Sequence, residues 1–171
     1  MMKIDYLIHT LQNGSENFVL TVKDTIDKFL GVNIEKIDDK KYEFSQPFLI
    51  ERLINFLKKD FDTEPKVKDR ITPAGKPLLH AKSYGLLRKH TWNYRTAVGM
   101  AGYLQGNTRP DISMAVHQCA RFVNNPMRSH ERAMYQIEKY LISTKEREII
   151  YSPDPSLGLE CFVDADFAGG W

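Results

Sequence analysis

No stretch of this 171-residue chain is apolar for long enough to span a bilayer, so the sequence places no part of it in a membrane. The N-terminal MMKIDYLIHTLQ carries Asp5 and no extended apolar core, which excludes a secretory signal. Only two cysteines occur, Cys119 and Cys161, far apart and in no ligand spacing. That excludes a disulfide framework and a thiolate metal cluster, and both are read as buried free thiols in a reducing compartment. Five histidines, His9, His80, His90, His117 and His130, likewise show no metal-ligand spacing. There is no glycine loop that could cradle a phosphate, no serine in a nucleophile elbow, no internal repeat and no low-complexity tract. What remains is 42% hydrophobic and 27% charged, the make-up of one ordinary globular domain or two small ones.

Acidic charge is nearly missing from one segment. Between Pro65 and Arg95 eight bases, Lys66, Lys68, Arg70, Lys76, Lys82, Arg88, Lys89 and Arg95, face the single acid Asp69. The segment therefore carries +7, and the formal total of +2 leaves −5 for the rest. Such a concentration is the electrostatic footprint of a phosphate-backbone partner, or equally the composition of a solvated linker; charge alone does not choose.

Periodicity divides the chain. Ile4, Leu7, Ile8 and Leu11 form one face of a helix over 3–11, which Asn13, Gly14 and Ser15 close. Residues 18–22 alternate as a strand, and 28–37 (KFLGVNIEKI) read as a longer one, turned back by Asp38, Asp39 and Lys40 into 41–44. Ser45 is placed as the cap, and Pro47 in the first turn, of a helix carrying Leu49, Leu53 and Leu57. Residues 62–91 hold Pro65, Pro73, Gly75, Pro77 and Gly85 without periodicity and read as a linker or extended arm. Two helices then follow in WNYRTAVGMAGYLQGNTRPDISMAVHQCARFVNNP, residues 92–126. Gly99, Gly102 and Gly106 would let another backbone come close, Thr108 would cap the second helix, and Arg109 and Arg121 lie at helix ends, free for a phosphate backbone or paired with an acid such as Asp111. A third helix is expected from Ser129, its cap, to Thr144, with Arg128, His130 and Arg132 at its start, an arrangement the helix dipole disfavours without an anion. Short strands at 149–151 and 159–163 end the pattern, followed by Asp164 and Asp166. A carboxylate at the end of a buried strand suits a metal ligand, yet two alone do not make a two-metal site, and a solvent-facing turn explains them as well.

Six of these stretches, in order, resemble the reverse transcriptase and ribonuclease H region of copia-type retrotransposon polyproteins. Phe29-Leu30-Gly31-Val32-Asn33-Ile34 is similar to that family's FLGIEI primer-grip segment, and YEFSQPFLIERLINFL to the start of its thumb. Ile71-Thr72-Pro73 resembles the thumb-to-connection linker, 94–126 the connection, 129–144 the helix after it, and FVDADFAG the opening of ribonuclease H. The resemblance implies an α+β chain: residues 1–45 as palm end with a primer-grip hairpin in a small antiparallel sheet, 46–91 as thumb helix and basic linker, 92–148 as helical connection, and 149–171 as the first strand of an incomplete ribonuclease H-like domain. It implies Mg2+ chemistry in the parent enzyme, with Asp164 at the first ribonuclease H metal position. It implies an RNA–DNA hybrid or other primed nucleic acid as partner, together with the missing upstream palm and fingers and downstream ribonuclease H segments. Nucleic-acid contacts are expected at Phe29, Leu30, Gly31, Lys66, Lys68, Arg70, Lys76, Arg88, Lys89 and Arg95. The implied setting is intracellular, cytoplasm or nucleus, in a virus-like particle for the parent. No Tyr-x-Asp-Asp polymerase motif occurs in these residues, so the chain alone is expected to be inactive, and its Met-Met start reads as a fragmentary frame. A helix-turn-helix nucleic-acid reader over 94–123, or the non-functional product of a degenerate element, are the competing expectations.

Overall fold

A computed structural model describes residues 3–13, 19, 26–58, 72–75, 79, 85–154 and 156. Within them the class is α+β. Helix α1 (Lys3–Asn13) is followed by strands β1 (Lys28–Phe29), β2 (Val32–Lys36) and β3 (Tyr42–Ser45), then α2 (Pro47–Lys58). Helix α3 (Tyr94–Asn107), a 3-10 turn (Pro110–Ile112), α4 (Ser113–Ala120), α5 (Arg128–Ser143) and β4 (Ile149–Tyr151) complete it. The strand expected at 159–163 and, apart from Val19, the one at 18–22 lie outside the described residues, as does Cys161.

The sheet is antiparallel in the order β1-β2-β3-β4. Residues 28–37 are not one strand. Leu30 and Gly31 both take positive φ, 48° and 80°, and the pair Phe29–Val32 closes a two-residue hairpin around them. Two left-handed residues in succession give the turn whose twist matches the flanking strands, and this is what breaks the run. The turn at 38–40 forms as read, with the Lys40 N–H donating to Asp38 Oδ1 at 2.8 Å. Strand β4, expected to open a separate unit, pairs with β3 through Phe44–Ile149 and Glu43–Ile150.

Helices α2 to α5 share one core. Ile50, Leu53, Ile54 and Leu57 of α2 meet Ala97, Val98, Ala101 and Leu104 of α3, and Val116 and Cys119 of α4 lie with Met134, Ile137 and Leu141 of α5 in the same cluster. The i, i+3, i+4, i+7 pattern of α2 thus turns Ile50 and Ile54 inward beside Leu53, and Leu49 to the margin. Tyr94 Oη donates to the Cys119 carbonyl at 3.1 Å, tying the start of α3 to the end of α4. Cys119 is a buried free thiol, its pKa pushed up to about 11 by burial.

Three caps differ from expectation. Ser45 is the last residue of β3, paired with Asn33, and the helix after it starts at Pro47 with the Gln46 carbonyl accepting from Ile50 N–H. Thr108 follows α3, and its hydroxyl donates to Gln46 Oε1 at 2.9 Å instead of capping the next helix. Ser129 lies inside α5; His130 Nδ1 accepts the Met127 N–H at 2.9 Å there. Strand pairing takes Ser45, a contact with Gln46 takes Thr108, and a neighbouring histidine takes the capping place read at Ser129.

The glycines of α3 correct a further reading. A Cβ built on Gly99, Gly102 or Gly106 meets nothing within 4 Å, so among the described residues no backbone approaches them. They carry the helix penalty without a packing return. Gly99→Ala and Gly102→Ala are each expected to stabilise the fold by about 0.5–1 kcal/mol, read as a rise in the denaturation midpoint with unchanged m-value; a loss of stability would restore the close-approach reading.

Candidate nucleic-acid interface

The hairpin tip combines two features that local physics does not favour. Phe29 is 62% and Leu30 72% exposed. Leu30 also occupies a left-handed conformation that asparagine or glycine adopts more easily, at a cost of roughly 1 kcal/mol. Yet the tip is anchored: Tyr103 Oη of α3 donates to the Leu30 carbonyl at 2.6 Å. The sheet's turn is thereby fixed to the helical unit. Tyr103 was not read from the sequence as a site residue; its place outside the apolar stripe of α3 is the signal that an exposed hydroxyl was available.

The basic segment ends in a strap. Lys66, Lys68, Arg70 and Lys76 lie outside the described residues. Arg88, Lys89 and Arg95 do not, and they behave differently. The Arg88 guanidinium sits over the Trp92 ring at 4.4 Å, donates to the Trp92 carbonyl and approaches Glu131 Oε1 at 3.4 Å. Its charge is spent inside the protein. Lys89 and Arg95 are exposed, Arg95 donating to Asn124 Oδ1 at 2.8 Å.

Glu131 organises this region. It is only 2% exposed, faces the Arg88 guanidinium, and accepts the backbone N–H groups of Lys89 and His90, each at 3.1 Å. The Arg128 N–H donates to the Leu86 carbonyl at 2.9 Å, and Trp92 Nε1 donates to Tyr135 Oη at 2.6 Å. Residues 86–92 are thus fastened along the start of α5. Sequence reasoning missed Glu131; an acid among Arg128, His130 and Arg132 in the first turn was the available clue. Those three bases do not form one anion site, because His130 is buried against Phe122, rings stacked at 4.0 Å.

Arg109 is no phosphate contact. It is 1% exposed, and its Nε and Nη2 donate to the two Asp111 carboxylate oxygens at 3.0 and 2.9 Å. Its remaining donors reach the Thr144 carbonyl at 3.1 Å and Thr144 Oγ1 at 2.7 Å. Tyr140 Oη donates to Asp111 Oδ2 at 2.8 Å and accepts from Arg147 at 2.8 Å. Burial by itself would push the Asp111 carboxyl up, but the hydrogen bonds from Arg109 and Tyr140 and the Arg109 charge outweigh it and hold it below the usual range. The Thr-Arg-Pro-Asp wording is therefore a structural corner joining α3, α4 and the end of α5. For a helix-turn-helix reader, α4 fully exposes only Met114 and His117.

Asp164 and Asp166 lie outside the described residues. Among the described residues no group of three His, Cys, Asp or Glu could hold a metal ion, so the Mg2+ expectation gains no site here. No helix among them is long and apolar enough to cross a membrane.

No family model matches the chain, and no solved structure matches it. The sequence is similar to the retrovirus-related Pol polyprotein from transposon RE1 of Arabidopsis thaliana, 29% identical over 164 residues, which are 95% of this chain and 11% of that protein. The corresponding polyprotein from transposon RE2 of the same plant is 26% identical over 163 residues, again 95% of this chain and 11% of the relative. The secreted RxLR effector protein 161 of Plasmopara viticola is 34% identical over 76 residues, 44% of this chain and 54% of that one. The chain thus spans about a tenth of the length of the two polyproteins it follows almost end to end.

Proposed function

We infer that this chain, which is related along nearly its whole length to the Pol polyproteins of copia-type retrotransposons, supplies the part of an RNA-directed DNA polymerase that holds the template–primer duplex. The carrying observation is Leu30. A large apolar side chain stands exposed in a conformation that disfavours it, on a turn anchored to the helical core. Strained, exposed and anchored residues of this kind collect at contact sites rather than in idle loops. The hairpin offers an apolar edge to a base or sugar at the primer end, and the basic segment before α3 offers charge to the phosphates. The 171 residues contain no Tyr-x-Asp-Asp, so chemistry requires a palm segment from elsewhere.

Leu30→Asn separates stability from function. Asparagine suits the left-handed position, so the variant is expected to be at least as stable as the parent. It should bind a duplex with a recessed primer end several-fold more weakly, while binding to a blunt duplex changes little. Fluorescence anisotropy with the two duplexes checks this, and equal loss on both, or none on the primed one, contradicts the hairpin's assignment. Primer extension by the chain alone should be absent.

A further inference from the structure

We propose that Glu131 is a positioning residue of this interface: its buried carboxylate clamps the strap at residues 88–90 to α5 and so holds the exposed Lys89 ready for the phosphate backbone. The inference rests on the reading of the chain as a template–primer-binding element.

The geometry is that of a clamp. One carboxylate takes two consecutive backbone N–H donors at 3.1 Å and stands 3.4 Å from the Arg88 guanidinium. Consecutive amides on one acceptor pair fix the local backbone direction, and Arg88 on Trp92 and the Arg128–Leu86 bond fasten the flanks. Lys89 lies in the clamped stretch with its side chain exposed. A flexible strap gives up conformational freedom when its lysine meets a phosphate backbone; one already fastened gives up less and binds more tightly for the same charge.

The sign of the effect makes the proposal testable. Glu131 is an acid within a surface proposed to bind a polyanion. By electrostatics alone, Glu131→Gln removes a repulsive charge and frees Arg88, so affinity should rise. A clamp predicts the reverse. The full chain and Glu131→Gln are titrated with an RNA–DNA hybrid over a range of salt. The expected result is binding about 10-fold weaker in the variant, at unchanged stoichiometry and unchanged slope of log affinity against log salt, because the phosphate-contacting charges are unaltered. Lys89→Ala, which removes a contacting charge, should instead make the slope shallower. Loss of stoichiometry at constant affinity would mean only that part of the sample is unfolded, and would overturn the positioning role; so would equal or tighter binding by the variant. Amide hydrogen exchange gives an answer independent of binding. In Glu131→Gln the Lys89 and His90 amides should exchange at least 10-fold faster while the core amides of α5 keep their rates. Unchanged exchange at those two amides overturns the clamp even if the parent chain binds no hybrid, an outcome that would separately refute the template–primer reading.

Discussion

Arg109→Ala is expected to destabilise the fold by about 2–3 kcal/mol, because the charge-assisted hydrogen bonds of the buried guanidinium to Asp111 and Thr144 are lost while the Asp111 carboxylate, its side chain 29% exposed, can turn to water. The substitution removes the main partner of both Asp111 and Thr144. Asp111 loses both guanidinium bonds and keeps Tyr140 and the more distant Arg147, 3.9 Å away. Thr144 loses the donor to its carbonyl at the end of α5. Because the corner joins α3, α4 and α5, the loss should appear as a cooperative drop in the denaturant midpoint rather than local fraying. Arg109→Lys should recover little, since an ammonium cannot donate bidentately to Asp111 and also reach Thr144. A loss under 1 kcal/mol for the alanine variant would return Arg109 to the pool of surface phosphate contacts. The network also fixes an acid limb. The Asp111 carboxyl is depressed in the folded state, so its contribution is present above the ordinary carboxylate pKa and is lost as pH falls through the lower folded value.

Glu138→Gln should act with the opposite pH dependence. Glu138 is 1% exposed on α5, and among the described residues neither carboxylate oxygen has a hydrogen-bond partner. Burial pushes its pKa up to about 7, against the opposing pull of the Lys58 and Lys139 charges. A raised folded pKa means the folded state holds the proton more tightly than the unfolded chain. Its stabilising share is complete below the ordinary glutamate value of 4.5 and is lost as pH rises to about 7. The loss over that window is on the order of 3 kcal/mol. Glutamine is neutral throughout, so the difference in unfolding free energy between Glu138→Gln and the parent should climb from pH 4.5 to 7 and then level off. A difference that stays flat over this window would mean that Glu138 is not buried as a lone carboxylate.

Much of the helical fold was legible because its signals are periodic. The apolar spacing of 47–58 and 129–144 predicts α2 and α5 within a residue or two, and the Asp38–Lys40 turn is plain from its chemistry. The caps depart from the reading for three different reasons: Thr108 is drawn to Gln46, 62 residues away, Ser45 is taken into strand β3, and at α5 His130, one residue on from Ser129, accepts the Met127 N–H instead. The hairpin at Leu30-Gly31 was hidden by an apolar residue in a turn position, and local propensity reads such a residue as strand. The charge of the basic segment was legible, but not how it divides. Arg88 and Lys89 are neighbours in a run of bases, and only the buried Glu131 and Trp92 show that one charge turns inward while the other stays in solvent. The inward role of Arg109 was open to inference from Asp111 two residues on; the participation of Thr144, 35 residues away, was not.

A grip on a phosphate backbone shows itself most directly in the salt dependence of binding. Affinity of the 171-residue chain for an RNA–DNA hybrid carrying a recessed primer end is measured between 0.05 and 0.2 M monovalent salt. With about three phosphates neutralised by the basic segment, affinity should fall about 40-fold across that range, linearly on logarithmic axes. A hybrid bound equally at both ends of the range, or not bound at all, would contradict the assignment of this chain to the template–primer grip.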